Sequence, residues 1–195
     1  MFDNILNNIN RHITLTREEA DDFCSLLEVK RVKKRESLID HGDICRHEAY
    51  INKGCFRTFF RDAHDTEHTF YFGIEDWWIS DLYSRTFKTP SAYKVVALED
   101  AEVFMISDED LEGFLQRVPK MEHFYRKIFQ YSLAVYQQRL LQLHQLTAEE
   151  RYKLFRQKYP EFDRRIPQKY IASFLGLTPE FFNTVRTRVL KQEGR

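Results

Sequence analysis

Glycine and proline are scarce in this chain, with six and five among 195 residues. That excludes collagen-like and low-complexity designs, and no internal repeat is visible. Cysteine is scarcer still. Cys24, Cys45 and Cys55 are odd in number, widely spaced and form no CxxC pair, so neither a disulfide framework nor a zinc site is implied. No apolar run approaches the roughly 20 residues needed to span a bilayer, so no membrane partner is expected. The opening MFDNILNNINRHITL lacks the basic-then-apolar order of a signal peptide. A reducing, cytoplasmic setting is the simplest reading. A P-loop, a GxGxxG turn and a Ser-His-Asp set are missing too, so neither an enzyme nor a bound cofactor is expected.

What is present is enough to bury a core and stay in solution: 43% hydrophobic and 31% charged residues. The net charge is zero but unevenly spread. Residues 139–195 hold 12 Lys and Arg against 6 Asp and Glu, so residues 1–138 carry a matching acidic excess. Phosphate contacts supply much of a protein's affinity for DNA, and the basic segment is where a nucleic acid would dock. Patchy surface charge alone would give the same numbers.

Local patterns divide the chain. Thr16 with Glu19 three residues on reads as a capping box opening a helix, followed by Phe23, Leu26 and Leu27 at helical spacing. From Val29 to about Ile106 the texture turns to short runs rich in β-branched and aromatic residues, such as 48–51, 56–60, 67–72, 93–98 and 102–106. Turn signals at His41–Gly42–Asp43, Asn52–Lys53–Gly54, 62–65 and 89–91 separate them. That spacing predicts an antiparallel barrel or sandwich instead of βαβ units. Ser107 caps a short helix through Val118, and Pro119 opens a long helical pattern to Leu146. It carries two apolar stripes. Met121, Phe124 or Tyr125, Ile128 and Val135 form one. Phe129, Leu133, Tyr136, Leu140 and Leu143 form the other, stepping by four and three like a coiled-coil seam. The second stripe predicts a partner helix and hence a homodimer; a helix held between two parts of its own chain would read the same way. A further helix runs from Thr147 to about Lys158, ended by Tyr159–Pro160.

The stretch RIPQKYIASFLGLTPEFFNTVRTR, residues 165–188, has the residues that a helix-turn-helix needs for steric reasons. Ile171, Phe174 and Leu175 give the first helix an apolar face. Ala172 is small where the helices cross, Gly176 allows a positive φ in the turn, and Leu177 returns to the core. Thr178 followed by Pro179 sets a helix start. Phe182, Val185 and Val189 face inward. Glu180, Phe181, Asn183, Thr184, Thr187 and Arg188 are left facing out, with chemistry suited to base edges and thymine methyls. Gln168, Lys169, Arg186 and Arg188 suit phosphates, with Thr178 at the same end. Phe181 is the oddity: it either touches DNA or packs under a neighbouring segment. The alternative is a plain helical hairpin. The sequence ends at Arg195, a few residues past this helix, so no wing is expected.

A barrel, a long helix with dimer character and a C-terminal helix-turn-helix, in that order, resemble the catabolite activator/FNR (Crp-Fnr) family of bacterial transcription regulators. SLIDHGDICRHEAYINKGCFRTFF resembles the family's opening strands, with Gly42 and Gly54 at the expected turns, and RIPQKYIASFLGLTPE resembles the branch common in Bacteroidetes. The resemblance implies an α+β architecture. An antiparallel, jelly-roll-like sensor β-roll similar to a cyclic nucleotide-binding domain spans 1–118. A dimerisation helix follows over 119–146, and a helix-turn-helix domain over 147–195. It also implies double-stranded DNA and a second copy as partners, with an unidentified small-molecule effector for the roll. RNA polymerase is a further partner if the protein activates.

The departures from the family's pattern carry information. Its cyclic-nucleotide cassette is a Gly-Glu pair, for the ribose hydroxyl, then Pro-Arg, for the phosphate. Here DWWISDLYSRTFKTPSAYK has Ser80–Asp81 in place of Gly-Glu, and Pro90 is followed by Ser91. Without that Arg the phosphate loses its bidentate partner, and cyclic AMP is not the expected ligand. Arg85 or Lys94 would have to substitute. Trp77, Trp78, Tyr83 and Tyr93 are either aromatic walls for another ligand or filling for the roll. The N-terminal Cys group of an iron–sulfur sensor is missing, and His41, His47, His64 and His68 lie on turns or strand ends. Of the recognition residues only the Glu is kept, as Glu180; Pro179 and Thr184 take the Arg positions, so a different operator is implied.

Two other functions stay open. One is a sensor module without sequence-specific DNA binding, motivated by the lost Arg residues. The other, more remote, is a metal-dependent jelly-roll enzyme, for which His64 to His68 has the wrong spacing on a strand.

Overall fold

Eight short strands fall between residues 28 and 107, and alternation along them decides how the first part of the chain packs. The computed structural model describes residues 1–193; Gly194 and Arg195, with which the sequence ends, lie outside the described residues. Two helices come first, α1 (Asp3–Asn10) and α2 (Arg17–Ser25). The strands follow: β1 (Glu28–Val32), β2 (Ser37–Ile39), β3 (His47–Lys53), β4 (Phe56–Arg61), β5 (Glu67–Gly73) and β6 (Trp78–Ile79). A short helix α3 (Leu82–Phe87) precedes β7 (Lys94–Ala97) and β8 (Ala101–Ser107). The rest is helical: α4 (Asp108–Arg117), α5 (Lys120–Gln145), α6 (Ala148–Lys158), α7 (Phe162–Arg165), α8 (Gln168–Phe174) and α9 (Pro179–Glu193).

The strands form two four-stranded sheets, β1-β8-β3-β6 and β2-β7-β4-β5. The resolved ladders are antiparallel, as the sequence texture predicts; in β1 and β8, Glu28 faces Met105 and Val32 faces Ala101. β3 and β8 each have two buried faces. Ala49, Ile51 and Val103 point into the core between the sheets, with Phe56, Ile79 and Val95. Tyr50, Phe104 and Ile106 point the other way, onto Ile5, Ile9, Phe23, Phe114 and Phe124 from the helices. Emptying one such Phe site costs about 3–5 kcal/mol. Gly54 turns β3 into β4 at φ +106°, and a Cβ there would stand 2.5 Å from that of Ala101.

Sequence patterning missed α1, β1, β2, β6, α3 and α7. α1 has no side-chain cap, although Ile5 and Ile9 are fully buried one turn apart. β1 buries only Val32. The capping box expected at Thr16–Glu19 forms, and a second one closes the start of α6 at Thr147–Glu150. The long helix runs from Lys120 to Gln145, one residue inside its expected span at each end.

The chain divides into two compact units. One comprises residues 1–60 and 71–131, the other residues 61–70 and the chain from Ser132 onward. The tip of the β4–β5 hairpin and the second half of α5 therefore belong with the C-terminal helices.

Candidate nucleic-acid interface

The turn between α8 and α9 is built from backbone bonds that follow directly from its residue types. Gly176 takes φ +70°, which a residue with a Cβ rarely adopts. Its N–H donates to Ser173 O at 3.1 Å, and Leu177 N donates to Ala172 O at 2.9 Å. That pair of bonds is a Schellman closure of α8. Thr178 then caps α9, its Oγ1 accepting from Phe181 N at 3.3 Å, with Pro179 in the first helical position. Ile171, Ala172, Leu175, Phe182, Val185 and Val189 are buried where the two helices meet, and Phe182 lies edge-on to Tyr152 at 5.1 Å. The Tyr152 hydroxyl donates to Asp163, and burial, then Asp163, pushes it up to about 12.

The outward face carries the expected side chains. Thr178, Glu180, Phe181, Asn183, Thr184, Thr187 and Arg188 are exposed, as are Gln168 and Lys169 at the start of α8. Phe181 is 49% exposed, so it packs under no neighbouring segment of the described chain. Arg188 reaches back to Glu149 at 3.6 Å. Arg186 is placed differently from the others. It is half-buried at the edge of the helix–helix core, with its Nε buried.

Sequence reasoning missed how α8 is held. Ser173 Oγ accepts from Thr69 N at 2.8 Å and donates to Glu67 O at 3.1 Å, which ties the hairpin tip to the first helix of the motif. Arg139 of α5 donates to Phe174 O at 3.0 Å and to Phe70 O, with its guanidinium 4.0 Å over the Phe174 ring. Burial lowers the Arg139 pKa to about 10 against the opposing pull of Tyr136 and Tyr159. Arg139 follows Val135 by four residues on the other stripe of α5, and a charged residue at that apolar spacing was the available signal. Arg151 of α6 donates to Leu143 O at 3.2 Å and to Leu146 O at 3.0 Å, covering carbonyls at the end of α5.

Along α5 the seam residues Phe129, Leu133, Tyr136 and Leu140 are 39–57% exposed, while Leu143 is half-buried beside the Gly176 turn. Met121, Phe124 and Tyr125 of the other stripe are buried, and Ile128 packs against them.

In the roll, the seven residues proposed from sequence as an effector pocket take separate structural roles. Asp81 is buried. It caps α3 by accepting from Ser84 N at 3.0 Å and accepts from Ser91 Oγ at 2.6 Å. Arg85 bonds Glu48 and Asp108. Burial works against the charge of Asp108, but Lys88 and Arg85 outweigh it and hold the carboxyl below the usual range. Trp78 is partly buried against the core, its ring against Tyr50, Phe124 and Tyr125 and its Nε1 donating to Asn8. Tyr83 is exposed and meets Phe87. Trp77 is 37% exposed, Tyr93 is half-buried, and Lys94 pairs with Asp40 at 2.7 Å. A cavity of about 130 Å³ in the roll is lined by Leu38, Ile39, Cys45, Ala49, Ile79 and Met105 among others, and by none of the seven.

Comparison with known proteins agrees with this layout. Residues 29–118 match the family model of the cyclic nucleotide-binding domain. The fold is that of FixK2 from Bradyrhizobium japonicum, at 16% identity over 86% of each chain, TM-score 0.72. It is equally that of the c-di-GMP responsive global regulator CLP from Xanthomonas campestris, at 15% identity over 92% of this chain and 93% of that one, TM-score 0.71. A CooA mutant from Carboxydothermus hydrogenoformans is similar at 14% identity over 96% and 84%, TM-score 0.70. No curated protein matches the chain.

Proposed function

From a chain that carries a cyclic nucleotide-binding domain on the Crp/Fnr fold, we propose a homodimeric, DNA-binding transcription regulator acting in the cytoplasm. Residues 1–118 form its sensor, 119–146 its dimerisation helix and 147–195 its DNA-binding domain. Its activity is regulation, not catalysis. The observation that carries this reading is the α8–α9 turn. Gly176, Thr178 and the buried Phe182, Val185 and Val189 leave one face of α9 free, and that face is polar and flanked by Lys169 and Arg188. Such a face fits the major groove.

The dimer is supported by the exposed stripe from Phe129 to Leu140, since a row of large apolar side chains is stabilised by a second copy of itself. An effector other than cyclic AMP is supported by the state of the cassette. Asp81 is already bonded to Ser84 and Ser91, Ser91 stands where a phosphate-binding Arg would be needed, and Arg85 is held by two carboxylates.

Selection of bound sequences from a random duplex library tests the proposal. A two-fold symmetric motif with half-sites about one helical turn apart is expected, with affinity falling steeply as salt rises. Asn183→Ala then relaxes preference at one position per half-site. If no motif emerges, with or without cell extract supplying a ligand, the DNA-binding reading fails and a sensor module is left. RNA polymerase becomes a partner to test once an operator is known.

A further inference from the structure

The hydroxyls on the outward face of α9 are turned back onto their own backbone. Thr187 Oγ1 donates to Asn183 O at 2.9 Å, and Thr184 Oγ1 donates to Glu180 O at the longer distance of 3.4 Å. In a helix this back-bonding is the local alternative to an outward hydrogen bond. It uses the one proton each hydroxyl has and leaves the γ-methyl as the part that faces out. Phe181 stands three residues before Thr184, on the adjacent turn of the same face, and is 49% exposed, whereas its neighbour Phe182 is fully buried. Residues three apart on a helix are side-by-side. The N-terminal half of α9 therefore presents a small apolar surface, the Phe181 ring beside the Thr184 methyl, within a polar face.

In the major groove of a DNA duplex the base edges offer one apolar group, the C5 methyl of thymine. Resting on the DNA-binding role proposed above, we infer that Phe181 and Thr184 read thymine methyl groups, so that this protein's operator is specified in part by apolar contact. The occupant is DNA and not a protein surface because this patch is bordered by Glu180, Asn183 and Arg188, beside exposed Gln168 and Lys169, on a segment with an excess of Lys and Arg. Those neighbours complement phosphates and base edges. The contact replaces the Arg readings that Pro179 and Thr184 cannot make.

Deoxyuridine tests this directly, because it removes only the methyl and keeps every hydrogen-bonding group of thymine. The full chain is titrated against its selected operator and against copies with single thymine-to-deoxyuridine replacements. At one or two positions per half-site, each lost methyl is expected to weaken binding about four-fold, the worth of one buried methyl-sized group. The penalty should vanish in Phe181→Ala or in Thr184→Ser, which keeps the hydroxyl and removes the methyl. Both positions are exposed, and unchanged melting temperatures confirm intact folding. A selected motif in which deoxyuridine is tolerated throughout overturns the inference while leaving the DNA-binding role standing. So does a penalty that persists in both variants. Absence of any motif removes the DNA-binding role itself, and the inference falls with it.

Discussion

Ser91 Oγ donates to the Asp81 carboxylate over 2.6 Å, and both side chains are buried. Asp81 also accepts from Ser84 N, and Ser91 N donates to Asp43 O at 2.8 Å, so the segment from 81 to 91 is closed on itself through Asp81 and tied to the roll at Ser91. Ser91→Ala removes a donor from a buried carboxylate. It is expected to cost about 1–3 kcal/mol, read as a lower urea midpoint with an unchanged slope.

The same pairing predicts the response to cyclic AMP. A ligand that binds the folded state raises its melting temperature as concentration exceeds Kd. Millimolar cyclic AMP is expected to leave the melting temperature unchanged, since entry requires Asp81 and Arg85 to give up their partners. A rise of several degrees would show that the cassette opens.

Asp108 sets a pH dependence. Its carboxyl is held below the usual carboxylate range, because Lys88 and Arg85 outweigh burial. Stability from this carboxylate is therefore present above about pH 4 and is lost as pH falls through the folded value. Asp108→Asn is expected to cost about 2 kcal/mol at pH 7, in line with hydrogen bonds to charged groups. The difference from the parent protein should shrink as pH falls below about 4 and the carboxylate of the parent takes up its proton. Urea unfolding at about pH 7 and across the acid range measures it.

Arg139 gives a local prediction. Arg139→Met keeps the apolar stem over Phe174 but removes the donors to the Phe70 and Phe174 carbonyls. Residues 61–70 should open more often, and amide exchange there should quicken about tenfold, while β8 and α4 keep their protection.

Leu133→Asp with Leu140→Asp places charge on the exposed stripe of α5. Neither side chain is in the buried core, so each subunit should stay folded. If the stripe joins two copies as proposed, sedimentation reports a dimer for the parent protein and a monomer for the variant, and operator affinity falls with it.

How much of this was readable beforehand depends on how far apart the interacting residues lie. The Thr16–Glu19 capping box and the Gly176 turn are local patterns, and the structure has them where the sequence places them. Trp78 shows where local pattern stops. From sequence it is either a pocket wall or filling for the roll; only the fold shows Tyr50, Phe124 and Tyr125 packed around it. The bonds from Ser173 to Thr69 and Glu67 cross more than 100 residues, and no periodicity encodes a pairing of that range. Arg85 looks from sequence like a spare cation; only the fold shows Glu48 and Asp108 closing on it. Periodicity tells which face of an element is buried, not what covers it.

The corner between α5 and α6 is bonded from both sides. Thr147 and Glu150 satisfy each other's amides on one side, and Arg151 grips the Leu143 and Leu146 carbonyls on the other. A corner tied in this way resists bending and has little slack. Torque applied to the last turns of α5 is delivered to α6 through a link of two residues, Leu146 and Thr147, and a small roll of the long helix is passed on with little absorbed at the joint.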